Sequence, residues 1–60
     1  MYWTERQRLR KLVGRKVLKF FDGVGYNGEV LGTHGLYARV SYEDGDAEEL
    51  ELHELLPVLQ

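Results

Sequence analysis

The stretch Val40-Ser41-Tyr42-Glu43-Asp44-Gly45-Asp46-Ala47-Glu48-Glu49-Leu50 admits few folds. Side chains alternate across an extended segment with a period of two, so Val40 and Tyr42 share one face and Ser41 takes the other. Asp44-Gly45 then supplies a reversal, because glycine adopts the positive φ that a tight hairpin demands. Alternation resumes beyond it, with Glu48, Leu50 and Leu52 on one side and Glu49 and Glu51 on the other. The pattern predicts a strand, a turn and a second strand. Its tip carries a tyrosine and carboxylates, a combination suited to holding a cation.

The remainder of the chain has the same punctuation. Residues 15–21 read as a first strand, with Val17, Lys19 and Phe21 on one side and Leu18 and Phe20 on the other. Apolar residues on both faces suit a strongly bent strand in a small barrel. Residues 22–25 form a loop and residues 26–31 a second strand, in which Gly28 marks a bend or a close backbone approach. Residues 32–35 are a turn. Residues 36–42 are a third strand with Leu36, Ala38, Val40 and Tyr42 on one face, and residues 47–52 a fourth. Residues 53–56, bounded by Pro57, are expected to form a single 3₁₀ turn. Val58-Leu59 would close the structure as a short fifth strand. At the other end, Thr4-Glu5-Arg6-Gln7 has the form of a capping box that opens a helical turn reaching Leu12. There Trp3, Leu9, Leu12 and Val13 are positioned to pack on the body. Short strands joined by glycine turns about ten residues apart predict an all-β barrel or sandwich. Residues 1–12 are its helical turn or tail, and residues 13–60 the barrel.

Sixty residues make one small domain, which buries only about 60% of its unfolded surface and is stable by a few kcal/mol. Without cysteine there is no disulfide and no thiolate metal site. No apolar run approaches the ~20 residues that cross a bilayer, and the charged start is unlike a signal peptide. These features predict a soluble, intracellular module, monomeric within a longer protein and without a membrane partner. The net charge of −2 is unevenly placed: seven of eight basic residues fall at positions 6–19 and seven of ten acidic ones at 43–54. One end is thus suited to an anion and the other to a cation, although solvated faces would show the same pattern. Catalysis is disfavoured. His34 and His53 lack a metal-ligand spacing, Ser41 has no base at a motif spacing, and the glycines lack a phosphate-loop pattern. The expectation is a binding module with no catalytic group, metal or cofactor.

Aromatic and acidic residues remain. Phe20 or Phe21 ends the first strand, Tyr26 opens the second, Tyr42 closes the third, and Asp44 and Asp46 follow in the next turn. In an antiparallel barrel these positions meet at one rim. Ring faces attract a methylated ammonium, each contributing ~0.5–2 kcal/mol. Glu43, Asp46, Glu48 and Glu49 would steer a basic peptide toward the rim. The competing reading makes these aromatics ordinary core. A second kind of partner is nucleic acid, held through Arg6, Arg8, Arg10, Lys11, Arg15 and Lys16 with Tyr2 and Trp3 stacking on bases. The acidic half of the chain opposes a broad groove for a polyanion.

From Leu12 to Leu56 the sequence resembles a Tudor domain. The pieces that carry the likeness are Val13-Gly14-Arg15-Lys16-Val17, Gly25-Tyr26-Asn27-Gly28-Glu29-Val30 and Tyr42-Glu43-Asp44-Gly45-Asp46-Ala47-Glu48-Glu49-Leu50. Residues 13–23 and 35–46 are most similar to the Tudor-like module of plant DDT–PHD-finger chromatin proteins. The resemblance implies an SH3-like, strongly bent five-stranded barrel and a nuclear, chromatin-associated role in transcription regulation. It further implies a methyl-lysine reader, with a methylated histone tail as partner. Its aromatic cage falls on Phe21 (rather than Phe20), Tyr26, Tyr42, Asp44 and Asp46. Phe21 stands where strong readers carry tryptophan, and Asp46 where a fourth ring often stands, which leaves three rings. Many Tudor domains instead act as protein or nucleic-acid contacts without a methyl-lysine ligand.

Overall fold

Helix α1 (Glu5–Lys11) precedes four antiparallel strands, β1 (Lys16–Phe21), β2 (Val24–His34), β3 (Tyr37–Tyr42) and β4 (Ala47–Glu51). A one-turn helix α2 (Leu52–Leu55) and a 3₁₀ turn (Leu56–Val58) follow. The structure is a computed structural model and describes residues 3–60, so the stacking role expected of Tyr2 lies outside the described residues. The strands pair in sequence order, β1-β2-β3-β4. In a flat sheet the outer two would lie roughly 14 Å apart, three strand spacings. Here Lys19 of β1 and Glu48 of β4 meet at 2.8 Å. The sheet is therefore curled into a half-barrel, compatible with a Tudor or SH3-like fold.

Among the described residues, four strands are found where five were expected. Pro57 lies within the 3₁₀ turn, and Val58 belongs to that turn rather than to a strand. Leu59 makes only an isolated bridge to Val17, supported by the Gln60 N–H donating to the Lys16 carbonyl at 2.9 Å. The chain end thus seals part of the β1 edge without forming a ladder. Residues 53–56, expected as a 3₁₀ turn, are split between α2 and the 3₁₀ turn that follows it. The Glu54 carboxylate accepts from the Glu51 N–H at 3.0 Å and starts α2.

Strand β2 is also longer than the expected 26–31. Asp22 and Gly23 both have positive φ, 50° and 79°, and turn the chain in two residues, so Val24 already pairs with Phe21. Residues 32–34 continue the strand beyond a register shift between Val30 and Gly32. Leu31 is the extra residue, and such a bulge bends the strand that carries it. Leu36 sits in the turn and is exposed rather than sharing the core face of β3.

The concave face of the sheet holds Val17, Val30, Ala38, Val40 and Leu50. With Leu9, Leu52 and Leu55 from the helices and Tyr42, they form one buried cluster. The capping box at α1 is present, with Gln7 N–H donating to Thr4 Oγ1 at 3.2 Å and Thr4 N–H to Gln7 Oε1 at 2.8 Å. Leu9 is the buried residue of this helix. Trp3 and Val13, expected to pack on the body, are exposed.

Gly28 occurs where β1, β2 and β3 press together. A Cβ there would stand 2.8 Å from the Ser41 carbonyl oxygen, 2.8 Å from Tyr42 Cδ1 and 3.0 Å from Val17 Cγ2. Backbone and buried side chains cannot yield cheaply, and overpacking of this kind costs about 1–3 kcal/mol. Gly28→Ala is therefore expected to lower the unfolding free energy obtained from urea denaturation by that amount, whereas Gly32→Ala, with nothing within 4 Å, should lower it far less.

Candidate functional site

The same concave face that is core at one end becomes polar and aromatic at the other. Residues 17, 19 and 21 of β1 point inward in alternation. Val17 pairs with Gly28, Lys19 with Tyr26 and Phe21 with Val24. On β3 and β4 the inward residues are Ala38, Val40 and Tyr42, then Leu50 and Glu48, since Ala38 pairs with Leu50 and Val40 with Glu48. The helices cap the first end. The second end is open and forms a concavity of about 490 Å³ lined by Phe21, Tyr26, Tyr42, Asp44, Asp46, Ala47 and Glu48. All five residues expected to form a cage line this one space.

Local chemistry fixes each of them. Phe21 and Tyr26 pack with ring centroids 5.9 Å apart and planes tilted by 59°, an edge-to-face tendency that aromatic quadrupoles favour. Phe21 is 47% exposed, so its ring borders solvent. Phe20 points to the convex face, where its ring lies against Gly25. The β3–β4 turn is tied down by Gly45 N–H donating to the Tyr42 carbonyl at 3.0 Å and by Tyr42 N–H donating to the Asp46 carbonyl at 2.8 Å. Asp44 Oδ1 accepts from the Asp46 N–H at 3.0 Å, an Asx turn that orients the carboxylate. Glu43, expected to steer ligands, accepts from the Asn27 N–H at 3.3 Å and pins the turn to β2.

Tyr42 is different from the other two rings. Only 6% of it is exposed, and its hydroxyl donates to Glu48 Oε2 at 2.5 Å. Burial first, and then the neighbouring Glu48 carboxylate, push its hydroxyl well above the usual tyrosine range. It stays protonated and keeps donating at any physiological pH. Tyr42 is thus both a wall of this concavity and part of the core.

Glu48 was expected only as a steering charge, and Lys19 had no assigned role. Burial opposes ionisation of Glu48, but hydrogen bonds from Lys19 and Tyr42 outweigh it and hold the carboxyl below its ordinary value. The Lys19 ammonium also stands 5.1 Å from the Phe21 ring centroid. The alternation pattern carried the signal for this pair. Glu48 shares the phase of Leu50 and Lys19 the phase of Val17, and a charge on a core face needs an opposite charge beside it.

The six basic residues expected for nucleic acid are all exposed, and three of them have local partners. Arg6 and Arg10, four apart, share a side of α1, while Arg8 lies on another. Lys11 sits 4.3 Å over the Trp3 ring, Arg15 donates to the Gln60 carbonyl at 2.9 Å, and Lys16 pairs with Glu29 at 2.8 Å. A second concavity, about 510 Å³, includes Lys16, Glu29, Ser41 and Glu43 among its lining, and its Lys16 and Glu29 already satisfy each other. Among the described residues, Glu51, His53 and Glu54 bring donor atoms within 4.8 Å of one another, but Glu54 is engaged in starting α2. No helix among the described residues is long and apolar enough to cross a membrane.

A curled antiparallel half-barrel with an aromatic and acidic concavity at one end belongs to the class of small β binding modules. The chain matches the PTM/DIR17-like Tudor domain family over residues 14–59 and belongs to that family. It is 48% identical over 50 residues to Dirigent protein 17 of Arabidopsis thaliana, a match covering 80% of this chain and 18% of that protein. The chain therefore spans less than a fifth of that relative's length. That relative bears the name of a dirigent protein rather than of a DDT–PHD chromatin protein, and the likeness shown is the broader one, to a Tudor domain. No solved structure matches.

Proposed function

We propose that this Tudor domain binds a methylated lysine in the pocket formed by Phe21, Tyr26, Tyr42, Asp44 and Asp46. The observation that carries the reading is their convergence on one open concavity. Three rings offer negative π-faces to a soft cation, and two carboxylates at the rim add direct attraction. A histone tail is the favoured source of the lysine, which makes the module a chromatin reader serving a larger nuclear protein. That context follows from the Tudor family rather than from the named relative.

The test is a titration of the labelled domain with unmodified and trimethylated lysine peptides, followed by amide shifts. The trimethylated peptide is expected to move the amides around Phe21, Tyr26 and the 43–46 turn, and the unmodified one to leave them in place. Equal responses to both peptides would make the module a protein contact indifferent to methylation. Shifts along α1 with an oligonucleotide, weakening steeply with salt, would favour nucleic acid. Because Phe21 is half exposed, Phe21→Ala should fold normally and weaken peptide binding about tenfold, the loss of one good cation–π wall.

A further inference from the structure

We propose that Lys19 is a built-in competing cation that sets how tightly the ring pocket takes a quaternary ammonium ligand. The proposal rests on the cage reading above and concerns its regulation. Lys19 touches residues that line the pocket. Its Nζ is 2.8 Å from Glu48 Oε2, the atom that also accepts from the Tyr42 hydroxyl, and it lies within cation–π range of Phe21. The side chains of Lys19 and Glu48 are only 27% and 32% exposed. This pair is less screened than a surface ion pair, and its ammonium faces the Phe21 ring that borders the concavity.

A ligand ammonium consequently meets a like charge beside one of its three rings. It also finds the inward carboxylate of Glu48 already neutralised, which leaves Asp44 and Asp46 as the available acids. Lysine is a point charge on a flexible stem, so Lys19 can yield its place at Phe21, but at the expense of the ion pair with Glu48. Removing the charge while keeping an apolar stem frees the Phe21 face and restores a third carboxylate to the ligand.

The experiment compares wild type, Lys19→Met, Lys19→Arg and Arg39→Met by titration with a trimethyllysine peptide and with tetramethylammonium. Arg39 is exposed on the convex side of β3 and controls for the change in net charge. Lys19→Met is expected to bind both probes about 3- to 10-fold more tightly, the equivalent of one cation–π contact. Lys19→Arg and Arg39→Met should bind as wild type does. Wild-type binding with no gain in folded Lys19→Met overturns the role of Lys19 and leaves the cage intact. Absence of binding in every variant overturns both. A measurement on wild type alone covers the case in which Lys19→Met does not fold. The Lys19 ε-methylene protons, shifted by the Phe21 ring in the free domain, should move toward random-coil values at saturation with peptide. Resonances that stay fixed at saturation overturn the proposal.

Discussion

Tyr42→Ala is expected to unfold this domain rather than merely to empty its pocket. The tyrosine ring belongs to the buried cluster that also holds Val17, Val30 and Val40, and it packs directly against Gly28, where no Cβ fits. Truncating a buried aromatic to alanine costs about 3–5 kcal/mol. A 60-residue chain has roughly 3–9 kcal/mol in total. The variant also leaves Glu48 without the hydroxyl that shares its charge with Lys19. Urea denaturation should show the cooperative transition shifted to near zero denaturant or lost. A Tyr42→Ala protein with a wild-type midpoint would mean that the ring is wall only and not core. Loss of peptide binding in Tyr42→Ala therefore says little about the cage, and Phe21, on the exposed side of the same space, is the informative position.

This double use of one face explains what the sequence made legible. The period-two pattern placed Val40 and Tyr42 together, and Asp44-Gly45 announced the reversal that brings the two carboxylates beside them. Those signals are local: each depends on neighbours in sequence, and Gly45 indeed takes φ 95°. Gly28 was readable as a close approach because a glycine inside a strand has few other reasons to be there. The misplaced features depend on tertiary context. Val24-Gly25 and the continuation of β2 through residues 32–34 look like loops, since glycines punctuate both, yet pairing with β1 and β3 extends the strand. Val58-Leu59 has strand composition, but Pro57 and the returning chain leave room for a single bridge to Val17. The Lys19–Glu48 contact joins residues 29 positions apart, and only the curl of the sheet makes them neighbours. The pattern showed which face each occupied, not that the faces would meet.

Leu9→Ala is the other substitution expected to cost most of the stability, and it tests what holds the N-terminal helix. At seven residues, α1 is too short to persist alone in water, since isolated helices shorter than about 12–15 residues are marginal. The Thr4–Gln7 capping box satisfies its first donors and contributes about 1 kcal/mol, too little to nucleate it. What remains is burial. Leu9 is fully enclosed and shares the cluster with Leu52 and Leu55 of α2, so one side chain ties α1 to the cap that closes the apolar end of the half-barrel. Removing it costs about 2–5 kcal/mol in lost transfer energy and residual cavity. The expected result is a large fall in the global unfolding midpoint, with helix and sheet signals lost in the same transition. If α1 were an accessory tail, Leu9→Ala would erase its helical signal and leave the midpoint of the sheet unchanged. The position of Leu9 within the common core requires the first outcome, because it belongs to the same buried cluster as Val30 of the sheet and Leu55 of α2.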